Sequence, residues 1–438
     1  MRVLIVTHCF PPETDAPEAR LAGLAATWAG DGDDVTVLTG MPSHPTGVLP
    51  SSYRRAVLRR ERRDGYRVVR TWRYATPNGG VARKTLGHLS FLVSSVLLGG
   101  RSSGPADVVV VSSPTFLSIF SGWLLARLKR ARLVVEIRDL WPAILVELGV
   151  LTSRRVIRVL ERLELAAYAA ADQVVVVSEG FRADLLRRGV PSDKVHTITN
   201  GVDLDRFAPA PGSSRERREL RARLRAGPDD CLALYAGTHG ISQALTAIAD
   251  AAARLDNGRW PAGTADRAPG SAAGRAAAFD GRTIRFAFVG EGADKKRLER
   301  RVAELRLGNV ALLPGVASAE MPALLAAADI CLVPLRKVPP SARFIPSKML
   351  EYLAAGKPVI GSVAGEAAQI LAEAGAVVVP PEDSGSLAAA VAALAADPQL
   401  RAEIGRAGRV FVERWHDRAA LAREYRKILE LDRPGTVR

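Results

Sequence analysis

Ser341-Ala-Arg-Phe-Ile-Pro-Ser-Lys-Met-Leu-Glu-Tyr-Leu-Ala-Ala-Gly-Lys-Pro-Val-Ile-Gly-Ser362 is the stretch around which the chain reads most sharply. Met349, Leu350 and Leu353 repeat at helical spacing, Pro346 suits a first helical position, and Gly356 with Pro358 stops the run. A short helix is therefore expected to begin near Pro346, with Ser347 beside it. Its first turn offers N–H groups without internal partners, the helix dipole adds partial positive charge, and Lys348 completes a cradle for an anion such as phosphate. Glu351, one turn on, has the reach to accept hydrogen bonds from a ribose diol. An ordinary capped helix with a surface Lys and Glu is written with the same residues, so the surrounding chain must decide.

Upstream lies a strand-turn-helix series. Cys231-Leu-Ala-Leu-Tyr-Ala-Gly-Thr-His-Gly240 runs a strand into a glycine turn and a helix expected from Ser242, which lets backbone N–H groups of Gly237, Thr238, His239 and Gly240 approach a phosphate. Ile284–Val289 is a strand ending in Gly290-Glu-Gly292, followed by Lys295 and Lys296. Lys295 stands where a dinucleotide fingerprint has its third glycine, so no NAD site is read here. Strands at Val310–Leu313 and Ile330–Pro334 and a late one at Ala376–Val379 continue the alternation, and Glu413 to Leu431 reads as amphipathic helices. Asp256 to Gly281, rich in Gly, Ala, Pro and Arg, reads as a flexible insertion with no share in the chemistry.

The N-terminal half repeats the pattern. Arg2–Thr7, Asp34–Thr39, Asp107–Val111, Arg132–Ile137 and Gln173–Val177 are apolar runs of the kind that form strands buried on both faces. Helical stretches fall at Pro17–Trp28, Phe116–Lys129, Arg154–Ala170 and Phe181–Arg188. This is a parallel α/β unit, and such sheets bind ligands at the carboxyl ends of their strands. His8, Glu13, Asp15 and Arg20 follow the first strand, and Arg138 with Asp139 ends the fourth, so all six are candidates by position. Each is equally well placed to serve only the loop, and Asp139 could cap the segment after it. Asp203-Leu-Asp205 reads as a turn rather than a metal site.

At 438 residues the chain exceeds one ordinary core, and the Pro-rich stretch Ala208–Ser214 reads as a junction. Cys9, Cys231 and Cys331 are too few and too scattered for a disulfide framework or zinc site; no metal or cofactor is expected. The first apolar run is too short for a signal-peptide core. Nine of the fifteen net positive charges fall between Tyr53 and Lys84, where eleven basic residues face only Glu61 and Asp64. The thirteen uncharged residues Leu86–Leu98 follow, too short to span a bilayer, with Trp72 and Tyr74 between. An anionic membrane surface touching 53–98 is the expected partner of this stretch, with a buried helix as the alternative for 86–98.

Two successive α/β units with phosphate-suited turns in the second resemble the GT-B fold, two Rossmann-like parallel-sheet domains facing across a cleft. The motifs Arg138-Asp-Leu-Trp-Pro142, Thr199-Asn-Gly-Val-Asp203, Tyr235-Ala-Gly-Thr-His-Gly240, Phe288-Val-Gly-Glu-Gly292 and Pro346 to Val359 resemble glycosyltransferase family 4 over almost the whole chain. Within it they are most similar to bacterial transferases of O-antigen, capsule and exopolysaccharide synthesis. The resemblance implies a C-terminal domain, 206–413, that binds a nucleotide-diphosphate sugar, usually uridine-linked, with N-acetylated and deoxy hexoses among the sugars carried. It implies an N-terminal acceptor domain, 1–205, rejoined by the C-terminal helix of about 414–438, and a lipid-linked or other saccharide as acceptor. By the same resemblance Glu351 binds the ribose; Gly237, Thr238, His239 and Gly240 face the diphosphate with Pro346, Ser347 and Lys348; Lys295 or Lys296 adds countercharge; and Gly315 and Val316 meet the base. Glu13, Asp15, Arg20 and Arg138 fall on the acceptor side, and Asp139, His8 and Lys348 are the candidate catalytic groups. Transfer with retention, without a metal, by an enzyme in the cytoplasm at the inner face of the plasma membrane is the expected activity. Arg343 stands where many members carry a glutamate near the donor sugar.

Two other readings share parts of this pattern. A nucleotide-sugar 2-epimerase would have the same two-domain fold. A nucleic-acid-binding protein would use the +15 charge, but no aromatic RNA-binding signature or DNA-reading motif is present, so no nucleic acid is expected.

Overall fold

The computed structural model describes residues 1–13, 16–43, 47–77, 81–113, 116–140, 142–143, 146, 151–209, 214–256, 283–337 and 345–431. Asp15, Arg343 and the stretch 257–281 lie outside the described residues. The chain divides into two compact units, Met1–Gly201 with the segment from Arg418 on, and Val202–Asp417.

In the first unit the β-branched runs form a sheet in the order β3-β4-β2-β1-β5-β6-β7-β8. Its strands are β1 (Arg2–Val6), β2 (Asp34–Gly40), β3 (Leu58–Arg63), β4 (Tyr66–Thr71), β5 (Val108–Ser112), β6 (Arg132–Ile137), β7 (Gln173–Val176) and β8 (Val195–Thr197). All neighbours are parallel except β3 and β4. β1 pairs with β2 on one side and β5 on the other, so the strand order reverses there, and the carboxyl end of β1 is a ligand position by topology.

Helix α1 (Ala16–Gly30) covers one face, and α2 (Val81–Ser94), α3 (Phe116–Lys129), α4 (Arg154–Ala170) and α5 (Glu179–Arg187) contribute to the apolar core on the other. The C-terminal helix Arg418–Leu429 packs on α1. Trp28 donates its indole N–H to the Ala422 carbonyl at 2.7 Å and meets Tyr425 edge-on, while Asp33 pairs with Arg426. The expected crossing back is present, but it begins at Arg418, not 414, and the first passage falls after Gly201, not 205. The reason is local: Val202 donates to His416 and bridges Asp417, which keeps these residues in the second unit.

The β3–β4 hairpin divides the basic stretch into exposed and buried arginines. Asp64 and Gly65 both have positive φ, 45° and 85°, the two-residue turn that matches strand twist, and Asp-Gly is its sequence signal. Strand pairing then turns Arg70 inward, and Arg73, two residues past β4, is buried as well. Arg73 meets the Glu13 carboxylate at 2.6 Å, and Arg70 meets Glu61 at 3.0 Å and the Pro11 carbonyl.

The second unit begins with α6 (Ser214–Arg223) and has the all-parallel order β11-β10-β9-β12-β13-β14. Its strands are β9 (Cys231–Ala236), β10 (Ile284–Val289), β11 (Val310–Leu313), β12 (Ile330–Pro334), β13 (Val359–Ser362) and β14 (Val377–Val379). Helices α7 (Leu245–Arg254), α8 (Lys295–Glu304), α9 (Met321–Ala327), α10 (Ser347–Ala354), α11 (Glu366–Glu373), α12 (Ser384–Ala396) and α13 (Pro398–Trp415) complete it. The order reverses at β9, flanked by β10 and β12, so the turn leaving β9 has the same privileged position as the loop after β1.

Candidate functional site

Two glycine turns meet at the carboxyl end of the second sheet because their backbones interlock. Gly237 donates to Val289 at 2.9 Å, His239 to Glu291 at 2.8 Å, and Asp294 back to His239 at 2.9 Å. A Cβ on Gly290 would lie far inside contact distance of the Gly237 carbonyl oxygen, and one on Gly292 would strike the His239 backbone. Gly237 itself has φ +139°, and a Cβ there would come within 3.0 Å of the Lys348 ammonium. Gly290 and Gly292 are thus required for backbone approach. Gly290→Ala is expected to cost about 1–3 kcal/mol through overpacking against main chain, read as a lower thermal midpoint. An unchanged midpoint would show that the turns do not interlock in solution.

Lys348 projects from α10 into this junction. Its ammonium donates to the Tyr235 hydroxyl at 2.6 Å and to Gln243 Oε1 at 3.2 Å, and lies 4.1 Å from the Tyr235 ring centroid. Burial pushes it down to about 7, and Glu351 on the same helix opposes the shift. Tyr235 in turn donates to the Thr238 carbonyl at 2.6 Å, tying the lysine to the turn. Below it, Tyr352 clamps Ala236 by accepting from its N–H at 3.0 Å and donating to its carbonyl at 2.8 Å.

His239 is wholly buried, and among the described residues neither ring nitrogen has a hydrogen-bond partner. Burial, with Lys295 and Lys348 nearby, pushes it down to about 4, so the imidazole is neutral at ordinary pH. Lys295 reaches the second turn, donating to the Gly290 carbonyl at 3.2 Å and pairing with Glu291 at 2.6 Å; Lys296 is exposed. Of the two alternatives for countercharge, only Lys295 is therefore held at the turns. Gly315 lies beside Gly290 and Glu291, and Val316 packs on the core.

Pro346 is the extended residue before α10, one position earlier than its expected place, and makes no side-chain cap, with Ser347 and Lys348 in the first turn. The helix expected from Ser242 instead starts at Leu245, after a short 3₁₀ turn over Ile241–Gln243 and a left-handed Ala244. That turn is what brings Gln243 to Lys348. Gln243 and Tyr235 were missing from the sequence-based candidates: Gln243 carries no motif, and Tyr235 opens the glycine-turn motif without a local sign that it would meet Lys348.

In the first unit the acceptor-side candidates Glu13 and Arg20 separate from the catalytic candidates His8 and Asp139. Glu13 is buried, accepting from the backbone of Phe10 and Ser43 as well as from Arg73, so it holds the loop. Arg20 is buried too: it pairs with Glu136 at 2.9 Å and donates to the Thr199 and Ile198 carbonyls. Both positions are accounted for by structure alone. His8, by contrast, sits at the end of β1 with its Nδ1 3.4 Å from Nδ1 of His88 and its ring against Phe91. Asp139, past the end of β6, is pushed up to about 6 by burial, against the pull of Arg138. His88 was also missed, because an isolated His on an apolar helix carries no signal.

Residues 16–201 match the glycosyl transferase 4-like domain, and residues 272–397 match the glycosyl transferases group 1. WcaI of Escherichia coli K12, assigned as a colanic acid biosynthesis glycosyl transferase, is 26% identical over 363 residues, 81% of this chain and 82% of that protein. A GDP-mannose-dependent alpha-(1-6)-phosphatidylinositol monomannoside mannosyltransferase of Mycolicibacterium smegmatis is 28% identical over 261 residues, 58% of this chain and 61% of that protein. Among solved structures, Anabaena Alr3699/HepE in complex with UDP-glucose aligns with TM-score 0.69 at 17% identity, covering 98% of this chain and 99% of that one.

Proposed function

From a chain that belongs to the family 4 glycosyltransferases and is an enzyme using a nucleotide sugar, we propose the finer reading that the donor is UDP-linked and the acceptor a lipid-linked saccharide. The donor diphosphate lies at the interlocked turns of the second unit, and Lys348 carries this reading. An ammonium placed on a tyrosine ring, hydrogen-bonded to two neutral side chains and lying against Gly237, where no Cβ intervenes, is a cation set up for a polyanion. Lys295 and the first turn of α10 supply further positive potential, so charge developing on the departing diphosphate is stabilised by preorganised groups, without a metal in the proposed route. UDP is favoured by the UDP-glucose complex of HepE, while the mycobacterial relative is named for GDP-mannose, so both bases belong in the test.

Transfer is proposed to proceed with retention along a front face. The acceptor hydroxyl attacks the anomeric carbon as its bond to the diphosphate oxygen breaks, and the leaving phosphate takes the hydroxyl proton. Asp139 or His8, both in the first unit, is proposed to orient reacting groups. The sugar carried is proposed to be a hexose, with N-acetylated and deoxy forms to be tried, and the N-terminal unit, where 53–98 lies, to meet an anionic membrane at the cytoplasmic face. No helix among the described residues is long and apolar enough to cross a membrane.

Glu351, at the ribose position, gives the direct test. Glu351→Ala is expected to weaken donor binding about 10–100-fold, as loss of hydrogen bonds to a charged acceptor does. A thermal-shift titration with UDP- and GDP-sugars reads it, and unaltered affinity would remove Glu351 from the site. Donor incubated without acceptor should yield only slow hydrolysis; an isomerised sugar would favour the epimerase reading instead.

A further inference from the structure

We propose that the surface seating this enzyme on an anionic bilayer is the outer side of the helical layer α2–α3–α4, not the arginine-rich hairpin. The inference rests on the reading of the acceptor as lipid-linked and locates where that lipid is met. Of the nineteen large apolar side chains exposed among the described residues, nine lie on this layer or on the turn ending α2. They are ordered, not scattered. Leu86, Leu89 and Val93 recur on one stripe of α2, with Leu97, 67% exposed, one turn further on. Val156, Val159 and Leu163 form a second stripe on α4, and Trp123 and Leu128 stand exposed on α3 between them. α3 packs against both neighbours, so the stripes share one layer.

Charge selects the occupant. α2 and α3 contain no acidic residue, while α4 sets exposed Arg154, Arg155, Arg158 and Arg162 beside its apolar stripe, against Glu161 as the exposed acid of that helix. Its other acid, Glu164, is buried against Arg188. Arg127 stacks near Trp123, 5.7 Å from the ring centroid. An apolar stripe bordered by arginines is the pattern of a helix lying in an anionic interface. A second copy would set positive charge against positive charge, which disfavours self-association through this face. The hairpin is less available, because Arg59, Arg67, Arg70 and Arg73 are committed to Glu61, Asp34 and Glu13.

Co-sedimentation of the full chain with phosphatidylcholine vesicles, with and without phosphatidylglycerol, tests this. Wild type should pellet with the anionic vesicles only. Val159→Asp with Leu163→Asp, and separately Arg155→Glu with Arg158→Glu and Arg162→Glu, should each lower the bound fraction about tenfold, whereas Arg60→Glu with Arg62→Glu in the hairpin should not. Loss confined to the hairpin variant, or a wild type that does not pellet, overturns the proposal; so does a concentration-dependent dimer abolished by the α4 variants. Thermal shift with nucleotide sugar, unchanged in all variants, keeps failure of the surface distinct from failure of the transferase reading.

Discussion

Lys348→Met is expected to lower kcat/KM for the nucleotide sugar about 10²–10³-fold while leaving the fold as stable as before, the loss typical of removing one preorganised charge donor. The separation of the two effects is the informative part. The ammonium is buried against Tyr235, and its partners are neutral oxygens, so removing it relieves desolvation without exposing an unpaired opposite charge. Its pH dependence has a definite sign. The folded chain without donor releases this proton near 7, and the unfolded chain only near 10.5, so the unfolded state binds more protons between those values and stability rises with pH across the window. Activity moves the opposite way: kcat/KM should fall above about pH 7 as the free enzyme loses the charge. A variant with wild-type kcat/KM at pH 6.5 would remove Lys348 from the mechanism.

Arg20→Ala is expected to destabilise the first unit by about 3–5 kcal/mol, since it leaves the wholly buried Glu136 carboxylate without its cation. Burial works to raise the Glu136 value, but Arg20, then Arg138, outweigh it and hold the carboxyl below the ordinary glutamate range. The stability this confers is complete above about 4.5 and is lost as pH falls below it. Denaturant unfolding followed by the buried Trp28 reports on this unit, and the paired change Arg20→Met with Glu136→Leu should recover most of the loss. A single variant within about 1 kcal/mol of wild type would show that water enters freely around Glu136. In the α/β framework this ion pair belongs to assembly: it ties α1 to the ends of β6 and β8 beside the loop that bears His8.

How far the sequence could be read depends on the range of the interaction behind each feature. The parallel strands were legible as β-branched runs because a strand buried on both faces needs apolar residues at every position, and α10 was legible from Met349, Leu350 and Leu353. The glycine turns were legible for the same local reason: a backbone that must touch another backbone cannot carry a Cβ. The Asp64-Gly65 hairpin was equally local and was overlooked beneath the density of arginines.

The rest required three dimensions. Residue types alone do not distinguish an arginine facing lipid from one facing Glu13, because the partner that holds Arg73 inward is sixty residues away in the chain. Nor do they reveal that Gln243 and Tyr235 seat an ammonium more than a hundred residues away, or that His88 meets His8. Sequence by itself determined the repeating α/β architecture and the backbone chemistry of the two glycine turns, since both follow from constraints on neighbouring residues. Tertiary structure alone decided which charges are spent on holding the fold and which remain for ligands, because a side chain's partner, and the desolvation that sets its proton affinity, come from residues remote in the chain.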